Sequence, residues 1–364
     1  MIRTDGLGDL LLALPALRHF KESFGACRIT LLTRREWVGI AQLCPYVDEV
    51  IGWDKEKYAK SISYRLSFLG ELRNRVYAVA IHSTYSREPL TDELVCCCMA
   101  AQKIGFDGNL NNISAKQKAR NDPYYTRLIK SLASGSLEID RNRDFAEQIT
   151  NKQIAPEDFQ PQVWLAEPDR TAAGKFLIDA GLKPGSDLIV ALFPGASWAG
   201  RLWPMESYAQ LADRILQKYE AKIIVCGAAT DLQEIGEARF HTSRRIVNLV
   251  GMTTLRNLAA IFETCDLFIG NETGPLHLAV STGIPTLGII GGGHFGRFYP
   301  YGDLSKHRMV HKQMDCYYCD WKCIYETVRC IQEITVDDVW RETQRMMEEV
   351  VLPSRDMKGR NISK

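Results

Sequence analysis

Leu267-Phe268-Ile269-Gly270-Asn271-Glu272-Thr273-Gly274-Pro275-Leu276-His277 opens the stretch, running on to Ile290, whose reading decides the fold. Leu267–Gly270 predicts a buried strand, and the apolar run Thr286–Ile290 predicts a second. Between them Pro275 starts a helix that extends to Thr282, because proline suits a first helical turn where its missing N–H is not needed. Strand, helix and strand at this spacing make a βαβ unit, the building block of a parallel sheet. The free amides at the start of such a helix, with the hydroxyl of Thr273 and the backbone of Gly274, form a ready anion site. Glu272 repels a phosphate there but suits the hydroxyls of a ribose. His277 lies within reach of a phosphate, and a lone histidine at that place serves packing equally well. A glycine run, Gly291–Gly293, follows the next strand on the same edge.

The same alternation extends outward in both directions. Upstream lie predicted strands Leu188–Phe193, Lys222–Cys226 and Ile246–Asn248, with helices Met205–Tyr219, Asp231–Glu237 and Leu255–Thr264 between and after them. The loop Phe193–Ser197 is built of small residues, and Trp203-Pro204 opens the helix beyond it. Arg201, in that loop, can neutralise a diphosphate with a forked contact, or stand as an ordinary solvated arginine. In the first half, the reading is a strand stub Met1–Thr4, a helix Asp9–Phe24, and strands Cys27–Thr33, Glu49–Trp53 and Val76–His82. A helix Glu93–Gln102, a polar excursion Asp107–Asp122 and helical signals over Pro123–Ile149 follow. Prolines 156, 161, 168 and 184 mark a hinge near the middle. The predicted organisation is therefore residues 1–165, residues 166–335, and a final helix with a basic, frayed tail over 336–364.

Gly6-Leu7-Gly8-Asp9 stands at the first strand-to-helix junction, where ligands of parallel sheets bind. It is not the dinucleotide fingerprint, since Leu11 occupies the place of the third glycine. On the residues alone, Asp9 reads either as a cap for the helix amides or as a catalytic carboxylate. Arg87 follows the strand that ends at His82 and reads either as an acceptor-side residue or as part of a solvated loop.

Composition narrows the class. Apolar residues make up 46% and charged residues 24% of the 364, the balance of a soluble globular chain. Lys plus Arg number 45 against 44 Asp plus Glu, so no overall field draws the protein to nucleic acid or anionic lipid. Asp5, Asp9 and Pro15 interrupt the N-terminal apolar run, which argues against a signal peptide. No stretch reaches the roughly 18 apolar residues of a spanning helix. Eleven cysteines, an odd number without an export signal, read as reduced thiols rather than a disulfide framework. Cys96–Cys98 fall on the helix predicted there. Cys316, Cys319, Cys323 and Cys330 have a spacing that suits tetrahedral zinc or iron, and as unmetallated thiols they read equally well.

Taken in order, RTDGLGDLLLALPAL (residues 3–17), FPGASWAGRLWP (193–204), LVGMTTL (249–255) and GNETGPLHLA (270–279) resemble glycosyltransferase family 9. That family contains the ADP-heptose:lipopolysaccharide heptosyltransferases, and the resemblance covers about residues 1–350. It implies an α/β chain of the GT-B fold: two Rossmann-like domains facing across a cleft, with the C-terminal helix returning to the first. It implies an inverting transfer, of heptose from ADP-heptose, to a hydroxyl of a bacterial surface glycan such as lipopolysaccharide core, with no cofactor required for catalysis.

Carried over residue by residue, the resemblance makes Asp9 the catalytic base, with Gly8 beside it on the acceptor side. Ser197, Arg201, Met252, Glu272, Thr273, Gly274 and His277 fall on the nucleotide-sugar side. The implied partners are a nucleotide-sugar donor and a glycan or glycolipid acceptor, with no nucleic acid. The implied place is the cytoplasm, with any membrane contact peripheral, at the inner face of the inner membrane. Two departures stand out. Only Met1 and Ile2 precede Arg3, so the innermost strand should be short, and Glu272 replaces the Asp common in heptosyltransferases. A GT-B-fold sugar-nucleotide epimerase and a non-catalytic nucleotide-sugar-binding protein are the alternative readings.

Overall fold

The computed structural model describes residues 1–133, 135–231 and 243–362. The chain divides into two compact units, Met1–Trp164 and Leu165–Lys364. The predicted helix Asp231–Glu237 falls almost wholly outside the described residues. No helix of the described residues is long and apolar enough to cross a membrane.

In the first unit, strands β1 (Thr30–Arg34) and β2 (Glu49–Trp53) pair in parallel, as do β3 (Val76–His82), β4 (Met99–Phe106) and β5 (Arg127–Ile129) in that order. Residues 1–3 join the two groups. Ile2 bridges Leu32 on one side and His82 on the other, both in parallel. Its N–H donates to the Ile81 carbonyl at 2.7 Å, and the Arg3 N–H donates to Leu32 at 2.9 Å. The short innermost strand expected from the sequence is thus present as a central bridge. It fixes Arg3 and the Gly6–Asp9 turn at the carboxyl edge of the sheet.

The helix predicted over Asp9–Phe24 forms as Leu7–Ala13 and Pro15–Phe24, with Leu14 helical between them. Two predictions need correction. The stretch read as helix Glu93–Gln102 is a helix only over Pro89–Cys97, after which Met99–Phe106 is a strand. Pairing of Ile81 with Ile104 along β3 overrides the helical preference of Ala100, Ala101, Gln102 and Lys103. Helical signals over 123–149 resolve into β5 and a helix Glu138–Thr150.

Among the described residues, the second unit carries six parallel strands: β6 (Leu188–Phe193), β7 (Ala221–Val225), β8 (Ile246–Asn248), β9 (Leu267–Asn271), β10 (Thr286–Ile290) and β11 (His307–His311). Their order is β11-β10-β9-β6-β7-β8. The chain runs from β6 outward to β7 and β8, then crosses to β9 on the other side. The β6/β9 junction is therefore the point where strand order reverses and where open α/β sheets bind ligands. Every residue of β6, β9 and β10 is buried, which is why these strands read as continuous apolar runs.

Asn271 ties the loop after β6 to the end of β9. Its Oδ1 accepts from the Trp203 N–H at 3.2 Å and the Tyr208 hydroxyl at 3.1 Å, and its Nδ2 donates to the Pro194 carbonyl at 2.7 Å. Trp203 is fully buried and donates its indole N–H to Ile334 at 2.8 Å.

The final segment is more ordered than the sequence indicates. A helix Val336–Met346, a π-helical turn Met347–Val351 and a helix Leu352–Ile362 run on from one another, in place of the frayed tail expected beyond Pro353. Val339, Met346, Met347 and Val351 lie in the core of the second unit. Arg355 reaches the Asp266 carboxylate at 2.7 Å. Residues 336–362 cluster with the second unit.

Candidate active site

In the first unit the Gly6–Asp9 turn leads into a nest of buried charge. Asp9 Oδ2 accepts from the Gly6 N–H at 3.2 Å, so the carboxylate caps the turn. Its other oxygen lies 3.5 Å from Arg3 Nη2, and the side chain keeps 27% of its surface open to solvent. Asp9 therefore caps the turn while its carboxylate stays partly open to solvent.

Arg3 itself is fully buried and organises the group. It donates to Asp5 at 2.9 Å and to Asn142 at 3.1 Å, donates to the Ser83 carbonyl, and lies 3.5 Å from the buried Glu138. Three carboxylates, Asp5, Asp9 and Glu138, thus share one guanidinium. Burial pushes the Asp5 carboxyl above its ordinary range against the pull of Arg3, with Asp9 and Glu138 adding to the rise. Gly8 is buried in the first turn of the helix beside them.

Arg87 corrects the sequence reading. It is neither a solvated loop residue nor an open acceptor-side group, because its side chain is fully buried. It pairs with Asp122, lies 3.8 Å from Asp92 and stands 4.8 Å over the Tyr125 ring. Tyr125 in turn donates to Asp92 at 2.6 Å and meets His82 at 2.7 Å. This is an internal polar network beneath the carboxyl ends of β3 and β4.

In the second unit the two glycine-bearing loops after β6 and β9 meet at the switch point. A Cβ on Gly270 would stand 2.9 Å from the Phe193 carbonyl, so only glycine allows β6 and β9 this approach. Thr273 caps the helix Gly274–Ser281 in an extended conformation without using its hydroxyl on the helix amides. Glu272 is buried, and its Oε1 has no hydrogen-bond partner. A buried carboxyl with an unused oxygen can accept a hydrogen bond from a ligand hydroxyl.

Burial raises the Glu272 carboxyl to about 8, against the opposing pull of the Arg201 charge. Burial and the same arginine lower His277 to about 4, so the imidazole is neutral at physiological pH. His277 Nδ1 lies 3.0 Å from the Tyr301 hydroxyl, and the two rings stack at 5.7 Å. Arg201 therefore acts on both Glu272 and His277 as the local cation. Ser197 is exposed in the loop that carries Arg201. Met252 stands apart, 61% exposed after the turn at Gly251 that follows β8.

A stability measurement checks the Glu272 environment. Its carboxyl rises from the ordinary 4.5 to about 8 on folding, so the folded state binds more protons across that window. Stability must then fall as pH rises from about 4.5 to about 8 and level off above, at a slope of up to ~1.4 kcal/mol per pH unit. Glu272→Gln removes that titration. In the nucleotide-free protein, the melting temperature of the variant relative to wild type is expected to rise steadily between pH 5 and pH 8. A pH-independent difference would contradict the environment described.

In the cysteine-rich segment, burial raises the Cys330 thiol, and Cys316, Cys319 and Cys323 stand close enough to add to the rise. Among the described residues, no group of three or more His, Cys, Asp or Glu is placed to hold an ion. Cys330 and Cys323 differ in their local contacts. Cys330 is buried, accepting from the Gly292 N–H at 3.3 Å, while Cys323 is exposed and turned to the Thr327 carbonyl at 3.5 Å. The segment is folded onto the glycine run.

Several site residues escaped the sequence reading. Arg3 stood in the first motif but its role as organiser was not visible, and Glu138 and Asn142 come from a helix more than 130 positions away. Asn271 had a signal, a polar residue ending a buried strand.

The family model Glycosyltransferase family 9 (heptosyltransferase) matches residues 66–323. The lipopolysaccharide core heptosyltransferase OpsX of Haemophilus influenzae is 24% identical over 320 residues, covering 86% of this chain and 84% of that one. A glycosyl transferase family 9 structure from Veillonella parvula superposes with a TM-score of 0.77 at 21% identity, covering 96% of each chain. The ADP-heptose lps heptosyltransferase II of E. coli gives 0.72 at 17% identity, covering 96% of this chain and 98% of that one. The extent of these matches shows the fold to be the GT-B fold expected from the sequence.

Proposed function

This chain belongs to glycosyltransferase family 9, and from that membership we propose that it moves heptose from ADP-heptose onto a hydroxyl of lipopolysaccharide core, with inversion. The observation that carries the reading is the second unit's switch point, where a buried, unpaired carboxyl of Glu272 and the Arg201 charge stand at the start of a helix. A nucleoside diphosphate answers each feature: ribose hydroxyls for Glu272, the diphosphate for Arg201 and the Gly274 amide. The adenine falls to the Met252 side of the sheet, and His277, neutral, serves as a hydrogen-bond partner rather than a charge.

In the reaction, the acceptor hydroxyl attacks the anomeric carbon as Asp9 takes its proton. The bond from that carbon to the diphosphate oxygen breaks, and ADP leaves with its new charge met by Arg201 and the helix amides. A single displacement of this kind inverts the anomeric centre. Arg3 and the Gly6 N–H hold the Asp9 carboxylate in place without engaging all of its surface. Membership of a glycosyltransferase family decides against the epimerase alternative.

Calorimetric titration with ADP, UDP and GDP tests the donor. The expected result is binding of ADP at least about 10-fold tighter than of UDP or GDP, the discrimination one pocket contact typically supplies. Equal affinity for the three nucleotides would sink the assignment of ADP-heptose.

A further inference from the structure

Residues 316–330 have no part in the reaction as written, yet they are fastened to the donor side of the second unit. The Tyr318 N–H donates to the Gly292 carbonyl at 2.8 Å and the Asp320 N–H to Gly293 at 3.1 Å. Between these bonds the chain takes left-handed backbone at three non-glycine residues, Tyr318 (φ 66°), Asp320 (φ 50°) and Trp321 (φ 60°). Strain of this kind persists only where surrounding structure enforces it, and it collects at functional places.

Its product is the position of one indole. Trp321 lies flat against the glycine run, where a Cβ on Gly291 would come within 2.6 Å of the ring and one on Gly293 within 2.3 Å. Its N–H donates to His294 Nδ1 at 3.2 Å, and His294 Nε2 faces the Asp320 carboxylate at 3.2 Å. Trp198 meets the same ring edge-on at 5.3 Å, and the Arg201 guanidinium stands 4.8 Å from its centroid. The arginine assigned to the diphosphate thus rests on an aromatic surface that is itself pinned on three sides.

We propose that Trp321 is a positioning residue of the transferase, holding the Arg201 guanidinium ready for the donor diphosphate. A cation over an aromatic face is attracted by the ring quadrupole and loses little freedom when a phosphate arrives. The glycine run is then required because any larger residue would displace the indole. The inference rests on the donor-site reading above and assigns the cysteine-rich segment a share in it.

The experiment is calorimetric titration of ADP and AMP into the full chain, as wild type, Trp321→Leu, Trp321→Phe, Arg201→Ala and the Arg201→Ala/Trp321→Leu double variant. Trp321→Leu should weaken ADP about 10-fold and AMP by less than about twofold, since AMP lacks the second phosphate. Trp321→Phe, which keeps a smaller ring, should weaken ADP by only about threefold, and it carries the test should the leucine variant fail to fold. In the Arg201→Ala background, Trp321→Leu should add nothing further, because the two residues act as one unit. Equal losses for ADP and AMP, or losses that add across the double variant, would overturn the role. Absence of ADP binding by wild type would instead overturn the donor site itself, and this proposal with it.

Discussion

Asp9→Asn is expected to lower kcat for sugar transfer by about 10³-fold while leaving ADP affinity within about twofold, the signature of a lost general base. The amide is nearly isosteric with the carboxylate and can still accept the Gly6 N–H bond that caps the turn. What it loses is the ability to take a proton. The buried Arg3 retains Asp5 at 2.9 Å and Glu138 at 3.5 Å, so the charge nest keeps two carboxylates and the fold is held. Asp9→Ala is a poorer probe, because it also strands the Gly6 amide and costs about 1 kcal/mol of stability. Steady-state release of ADP, with unchanged melting temperature, separates the two effects. If Asp9→Asn is fully active, Asp9 is a cap alone.

Arg201→Ala is the second large effect. Removing the local cation should lower kcat/KM for the donor by about 10²-fold or more, since its charge opposes charge that grows only as the diphosphate departs. Arg201→Lys should recover part of this, because an ammonium supplies the charge without the fork. A second readout follows from the electrostatics of the empty site. Arg201 pulls both the Glu272 carboxyl and the His277 imidazole downward, so its removal must let both rise. The His277 imidazole, now near 4, should titrate at higher pH in Arg201→Ala when followed by NMR of its ring protons. An unmoved His277 titration would place Arg201 away from this site.

Much of the second unit was legible in the sequence because its strands are buried on both faces. Leu188–Phe193 and Thr286–Ile290 were read with the bounds observed, and β9 to within a residue, since no polar residue interrupts these runs. Met99–Phe106 was not legible, because it opens with helix formers and owes its extended form to pairing along β3. The short strands β5 and β11 carry too few apolar residues to announce themselves. Glycine and proline marked the loops that carry Asp9, Arg201 and Glu272. Arg3, Glu138 and Asn142 did not, because their association is made only when distant segments meet. Arg87 was misplaced for the same reason: Asp122 and Tyr125, which bury it, lie 35 or more positions away. The cysteine spacing said nothing of the contacts with Gly292 and Gly293, which join segments more than 20 positions apart.

Transfer itself tests the account most directly. Wild type and Asp9→Asn would be incubated side by side with ADP-heptose and lipopolysaccharide that lacks its heptoses, and the acceptor weighed by mass spectrometry. The account predicts that wild type adds the mass of one heptose to the acceptor and releases ADP in equal amount, while Asp9→Asn does so about 10³-fold more slowly. Release of ADP with no gain in acceptor mass, or equal gain with both proteins, would contradict it.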